Sequence, residues 1–455
     1  MVAYKDSKAY IKKLDEIYLN ESVTSTLKQT FSNALDEDSY RFIMAIVDNP
    51  KELIPIPRNA IQKCLRGLSA EDRQFLIDSE IITRDDYYTV GKCYCYGVGP
   101  ILDEVITSAI PESILEGGIV NTATLKRVKP IESKFSRDDS TLVRRAISMI
   151  VNKINVTKLN EVRYVDLQEA KKDKAARFRF FGNDRCFDAV RRQELTVNSK
   201  GVGQYVPAYK FSRTGRMFEV GGGMQGVSSR WKKAAYDLPN VRNYDLKSSQ
   251  IVALLELGRN YLPPESIDTL EAYIDSNKQV YADTAGIPTE LWKAGLMALF
   301  FGSNLAPNLK CEVYKNFFNY YGHDKAIANM HFQNFRTVAC PFVQVKNEWF
   351  KALKIIVEEF SYRSDRSYCI KNAMSKIFKL DKGYSMGELS AHMLQGLEGA
   401  YIFALINDSW KYSYEVLSNE HDGIVVEGEI PLDAKLTARV KSKFNTAVLV
   451  EKAWD

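Results

Sequence analysis

Two short stretches, far apart in the chain, each place an aspartate at the edge of a β-type run, and they constrain the fold more than any other feature. Val241–Leu246 reads as a strand carrying Asp245 near its end and running into a helix from about Ser248. The second stretch is Glu420-His421-Asp422-Gly423, followed at once by Ile424-Val425-Val426. A glycine and then three β-branched residues favour a strand over a helix. Tyr412–Asn419 and Gly423–Val426 are therefore expected to form a β-hairpin with His421 and Asp422 in its turn region. Between the two stretches the texture is helical. Pro288–Phe301 is bounded by Pro288 and Thr289 at its start and Gly302 at its end, and Glu348–Glu359 and Met386–Trp410 read as further helices.

The rest of the chain sorts by periodicity. Residues 1–140 are expected to be mostly helical, with helices over Lys5–Tyr18 and Val23–Phe31, an N-cap at Ser69, and a short strand pair within Asp85–Tyr96. Thr141–Ile154 reads as one amphipathic helix. Val206–Val220 alternates like a hairpin around Thr214-Gly215, and a Gly221-Gly-Gly turn follows that lacks the spacing of a dinucleotide-binding loop. No repeat or low-complexity tract interrupts the 455 residues, of which 45% are hydrophobic, so a large core needs neither disulfides nor metals. The apolar runs, such as Leu296–Phe301 and Tyr401–Ile406, are far shorter than a membrane span. The opening residues MVAYKDSKAY carry no signal-type apolar core. The seven cysteines are scattered, which suits reduced thiols and a cytoplasmic setting.

Charge is uneven. Between Ala170 and Arg242 sixteen Lys and Arg face six acidic residues, against a net charge of +5 for the whole chain. Aromatics are interleaved with these bases: Arg177-Phe178-Arg179-Phe180-Phe181, then Arg213, Arg216, Phe218, Arg230 and Trp231. Cations that meet phosphates beside rings that stack on bases suit a nucleic acid, and a solvated basic face over ordinary core aromatics would read the same way.

Each candidate site residue has a plain alternative when taken alone. Asp245 at a strand end suits a hard cation such as Mg²⁺, which takes oxygen ligands, yet an aspartate there can simply cap a helix. Asp422 can be an ordinary turn residue, or, with His421, part of a helical HD-type metal phosphohydrolase site. On a helix, Lys293, Met297 and Phe300 or Phe301 share one face. That suits a nucleotide, with charge for the triphosphate and apolar surface for the base, or it is a stripe of core. Four histidines without an HExxH or a Cys/His cluster argue against a zinc hydrolase.

Taken together, these segments resemble the polymerase superfamily that unites family A DNA polymerases and phage-type single-subunit RNA polymerases. Ser212-Arg-Thr-Gly-Arg216 is similar to its Gly-Arg element, and Asp245 in DLKSSQI to its first catalytic aspartate. Lys293 through Phe301-Gly302 is similar to its fingers helix, Gln395-Gly396 to its glutamine-glycine helix, and His421-Asp422 to its second catalytic aspartate. The resemblance covers roughly residues 205–455. It implies an α+β right-hand polymerase with an antiparallel palm sheet and helical fingers and thumb. Residues 141–205 would supply the thumb and a basic connector, and 206–455 the palm and fingers, the fingers over about 255–385. Residues 1–140 stay without a role, and an accessory protein, if one exists, is expected to act through them.

The implied site has Asp245 and Asp422, with the Leu246 carbonyl, as ligands of two Mg²⁺ ions. Lys293, Met297, Phe301 and Gly302 would bind the nucleotide, and Arg213, Arg216, Gln395 and His421 the nucleic acid. The partners implied are a DNA template, an RNA or DNA product and nucleoside triphosphates. Three departures bear on specificity. Thr289 stands where the family has an arginine, Phe301 where it usually has tyrosine, and Val252 follows Ser249-Gln250-Ile251 where the DNA polymerases have a glutamate that crowds a ribose 2′-hydroxyl. The first expectation is a compact DNA-directed RNA polymerase or primase, the second an exonuclease-less family A DNA polymerase. A catalytically silent nucleic-acid-binding protein is the reading from another class.

Overall fold

The computed structural model describes residues 35–47, 54–56, 61, 67–84, 94–109, 133, 141–322, 324–364, 367–381, 383–431 and 434–454. The expected helices over Lys5–Tyr18 and Val23–Phe31 lie outside the described residues, as does most of Asp85–Tyr96.

The centre of the molecule is a four-stranded antiparallel sheet in the order Glu415–Asn419, Gly423–Glu427, Val241–Leu246, Leu449–Glu451. Strands from three distant parts of the chain meet here, so the α+β class expected from sequence is the class observed. Its faces are covered by helices. Ser249–Gly258 leaves the central strand with Ile251 through Leu255 all buried. Met386–Asp408 is buried on nearly every side, as a helix apolar all round must be. Its start is fixed by a capping box between Ser385 and Glu388.

Between the central strand and the hairpin the chain makes a helical block: Pro264–Asp275, Lys278–Ala285, Thr289–Phe300, Glu312–Tyr320, Lys325–Val338 and Cys340–Phe360. Trp292, Trp349, Phe317, Phe332, Phe335 and Phe342 fill its core. The last of these helices is longer than the expected Glu348–Glu359, because Pro341 sits in its first turn, where a missing N–H costs nothing. A small sheet, Tyr362–Ser364, Ser367–Lys371 and Ile377–Lys379, follows it.

Thr141–Ile154 is not one helix. The helix ends at Ser148, and Asn152–Asn155 is a strand. Val151 N–H donates to Val416 O, and the buried Asn152 amide bonds the Tyr205 and Tyr236 hydroxyls. These long-range partners override the local helical spacing. Asn155 then caps the helix Val156–Lys172. The expected hairpin around Thr214-Gly215 forms as Tyr209–Phe211 paired with Met217–Glu219. In the N-terminal region Ser69 caps Ala70–Asp78 as expected. A three-stranded sheet of Ile54–Pro55, Cys95–Val98 and Ile82–Arg84 also stands there, and Glu37–Val47 packs against it. Among the described residues Cys186, Cys311, Cys340 and Cys369 are outside any disulfide, and no helix is long and apolar enough to cross a membrane.

Candidate active site

Sheet register brings the two aspartates together. Gly423 pairs with Asp245 across the antiparallel ladder, and Leu246 N–H donates to Asp422 O at 2.9 Å. Gly423 is required here, since a Cβ at this position would lie 2.7 Å from Tyr244 O. The turn before it is tight. Glu420 N–H donates to Gly423 O, His421 N–H to Asn419 Oδ1, and His421 takes the left-handed conformation, φ 73°. The His421 ring rests on Phe218 at 4.5 Å between centroids, beside the Gln225 side chain. Gln225 Nε2 donates to Met217 O and Asn419 O and so fastens the two hairpins together. His421-Asp422 thus lies on a strand turn, and the helical HD arrangement is absent.

Asp245 and Asp422 line one cleft with Glu420, Asn243, Lys232 and Lys452. Burial, followed by the Asp422 charge, pushes the Asp245 carboxyl up to about 6, against the pull of Lys452. The Lys452 ammonium stands 3.8 Å from Asp245 Oδ2, and Trp454 stacks on Tyr236. Lys232 pairs with Glu420. Among the described residues no group of three His, Cys, Asp or Glu side chains is gathered as for a metal. Mg²⁺ asks less than that, since one or two carboxylates suffice while waters fill the remaining positions. Two carboxylates on neighbouring strand ends, one of them raised by burial first and by the other's charge second, are a donor set that fits such an ion.

Behind Asp422 lies a second buried carboxylate that the sequence did not single out. Glu398, fully buried on Met386–Asp408, takes Arg216 Nε at 3.2 Å and its Nη2 on one oxygen. Its other oxygen takes the Ser249 hydroxyl at 2.5 Å. Ser249 Oγ is also 3.3 Å from Asp422 Oδ2. Burial pushes the Glu398 carboxyl up, and Arg216 pulls it back. Arg216 is therefore committed to a protein carboxylate. Its loop is held from the other side by Asn372, whose amide donates to Thr214 O and His392 O. Arg213 is exposed, and Gln395 is half-buried on the same long helix as Glu398.

Thr289–Phe300 sets out the nucleotide candidates. Lys293 is exposed, Met297 and Phe301 are half-buried, and Phe300 belongs to the core, so Phe301 is the ring on the open face. Gly302 has φ +94°, and a Cβ there would stand 3.0 Å from Gly387 Cα. Two glycines thus let the end of this helix touch the start of Met386–Asp408. Lys278 was missed in the sequence. Burial, then Lys247 and Lys293, bring its ammonium down to about 8, which places three lysines in one field. Its helix is tied to the next by a bond from Thr289 to Gln279. Val252 is buried in the core, and Glu256, further along its helix, is taken up by Asn445 and Thr446.

Part of the basic stretch is paired within the chain. Arg177 pairs with Asp103, Arg191 with Asp184, Arg230 with Asp166, and Arg242 with Glu451. Lys210, Arg213 and Lys233 are exposed and meet no carboxylate among the described residues.

No protein-family model matches the sequence, and no curated protein matches it. Among solved structures the chain is similar to the POL domain of Pol1 from M. smegmatis, determined in complex with DNA primer-template and dNTP. That likeness has 11% sequence identity and a TM-score of 0.40, and covers 94% of this chain and 73% of the other.

Proposed function

We propose that this chain is a template-directed nucleotidyltransferase that synthesises RNA on a DNA template. The observation that carries the reading is the pairing of Asp245 and Asp422 at adjacent ends of an antiparallel sheet, open to one cleft. In this reading the central sheet is the palm, the helical block over about 255–385 the fingers, and 141–205 the thumb. Asp245, Asp422 and the Leu246 carbonyl would hold two Mg²⁺. Such a pair of ions neutralises charge on the attacking 3′-oxygen and the leaving pyrophosphate.

The chain's own part is placement and charge. Lys293 meets the triphosphate, with Lys278 and Lys247 adding to the field that Thr289, lacking a charge, does not supply. Met297 and Phe301 flank base and sugar at the end of the helix, where Gly302 turns the chain. Arg213, His421 and Gln395 lie along the path of the nucleic acid, while Arg216 shapes that path through its bond to Glu398. A phosphate close by could still share the guanidinium edge.

Ribose is favoured by the resemblance, since Val252 follows Ser249-Gln250-Ile251 where the DNA polymerases have a glutamate that crowds a 2′-hydroxyl. A second reading, DNA synthesis, draws on Phe301, which lacks the hydroxyl that would select ribose. The test is extension of primed and unprimed templates with rNTPs and dNTPs side by side, using Asp422→Asn as the control. Metal-dependent incorporation of rNTPs, lost in Asp422→Asn, supports the reading. Incorporation that survives in Asp422→Asn would sink the site assignment, and strict use of dNTPs would replace RNA by DNA synthesis.

A further inference from the structure

We propose that Glu398 is a positioning residue that fixes the direction of the Ser249 hydroxyl hydrogen and so leaves an oxygen of Asp422 open to a cation. The inference rests on the reading of Asp422 as a metal ligand and adds a residue that the sequence did not mark. Ser249 Oγ has two carboxylate neighbours, Glu398 Oε1 at 2.5 Å and Asp422 Oδ2 at 3.3 Å. A hydroxyl has one hydrogen to give. The shorter contact to a carboxylate takes it, because charge-assisted bonds of this length are the strong ones. The Ser249 oxygen then turns lone pairs, not a proton, toward Asp422. Asp422 Oδ2 then receives no hydrogen from Ser249, on a residue that lines the cleft.

Three elements have to agree for this. The helix Met386–Asp408 carries Glu398, completely buried, to the back of the sheet. The left-handed residue Ser248, φ 51°, starts the next helix so that Ser249 faces inward. Arg216, from the loop between the paired strands, occupies the second Glu398 oxygen and fixes the plane of the carboxylate. A buried ion pair serving only the fold would need Arg216 and Glu398 alone. The serine between Glu398 and Asp422 connects the pair to the reaction site.

Removing the acceptor redirects the proton. In Glu398→Gln the side chain can present an amide N–H to Ser249, whose hydrogen then turns to Asp422 and competes with the metal. The measurement is Mn²⁺ binding to the full chain, read from the free-ion signal by electron paramagnetic resonance, with thermal unfolding as the control for folding. Glu398→Gln is expected to weaken Mn²⁺ binding by about three- to tenfold, the range of one competing hydrogen bond. Adding Ser249→Ala in that background should restore binding to near the wild-type value, which loss of a purely structural contact would not do. Should Glu398→Gln fail to fold, Glu398→Met with Arg216→Met removes both buried charges and leaves Ser249 no acceptor at position 398, and the same weakening is expected in the same measurement.

Folded Glu398 variants that bind Mn²⁺ like wild type overturn the proposal, as does weakened binding that Ser249→Ala leaves unrestored. Asp422→Asn separates the two levels. If it does not lower Mn²⁺ binding, the metal reading itself falls and the role of Glu398 with it. If Asp422→Asn lowers binding and Glu398→Gln does not, only the role of Glu398 falls.

Discussion

Replacing Asp422 by asparagine should inactivate the protein and at the same time stabilise its metal-free form. Asp245 is held up at about 6 by burial first and by the Asp422 charge second, while a free aspartate titrates near 3.8. A carboxyl whose folded value is raised binds more protons folded than unfolded. Its contribution to stability is complete below about 4 and is lost as pH climbs through about 6. A shift of about two units is worth roughly 3 kcal/mol at neutral pH, an upper figure for a group that still meets solvent. Asp422→Asn removes the second cause and leaves the first. The share recovered is the smaller one, on the order of 1 kcal/mol at pH 7. The assay is urea unfolding in EDTA from pH 4 to pH 7.5. Wild type should lose stability between pH 4 and pH 6.5, and the variant should lose less. Added Mg²⁺ should raise wild-type stability by mass action and leave the variant nearly unmoved. A variant that is less stable than wild type at pH 7 in EDTA, or that loses as much between pH 4 and pH 6.5, would refute the argument that the two carboxylates repel each other in one cleft.

Other substitutions test the surroundings of the site. Lys452→Ala removes the ammonium 3.8 Å from Asp245 Oδ2, so half-maximal incorporation should need less Mg²⁺, measured by metal titration. Asn372→Ala removes the amide that donates to Thr214 O and His392 O, and should cost about 1–3 kcal/mol in urea unfolding. Gly302→Ala places a side chain at φ +94° and against Gly387, and should cost at least about 1 kcal/mol and lower the midpoint of thermal unfolding. Phe301→Tyr adds a hydroxyl at the open end of the helix, and should raise the preference for rNTPs over dNTPs by about 2- to 13-fold in competing incorporation, the worth of one polar contact.

What the sequence revealed and what it hid divide along a physical line. The strand at Asp245, the turn at Asp422 and the helix from Thr289 to Phe300 were legible because each is set by local chemistry: β-branched runs, a proline start, a glycine stop. The convergence of Asp245 and Asp422 was legible only through resemblance, since no local rule pairs strands 177 positions apart. The break after Ser148 was hidden for the same reason. Apolar spacing over Thr141–Ile154 is helical, and only Val416, Tyr205 and Tyr236, distant in sequence, make Asn152 a strand residue.

Charge was legible only in part: Lys210, Arg213 and Lys233 stay exposed, while other bases of the same stretch turn to carboxylates of the chain. A count over Ala170–Arg242 gives a strong basic excess, and the natural reading is a surface for phosphates. Yet Arg177, Arg191, Arg216, Arg230 and Arg242 all end on carboxylates of the chain itself. A linear count cannot see a partner 182 residues away, which is the separation of Arg216 from Glu398. Glu398 belongs to no motif: it stands in the mostly apolar middle of Met386–Asp408, a helix that also carries Glu388 in its first turn and Asp408 at its end. A carboxylate fully buried in such a helix is costly to keep unless something answers it. That cost is the cue the sequence does carry: Glu398 among Leu394, Leu397, Tyr401 and Ile402 demands a cation, and the chain supplies Arg216. Reading apolar helices for the one charge they should not contain finds the residue behind the site that motif matching passes over.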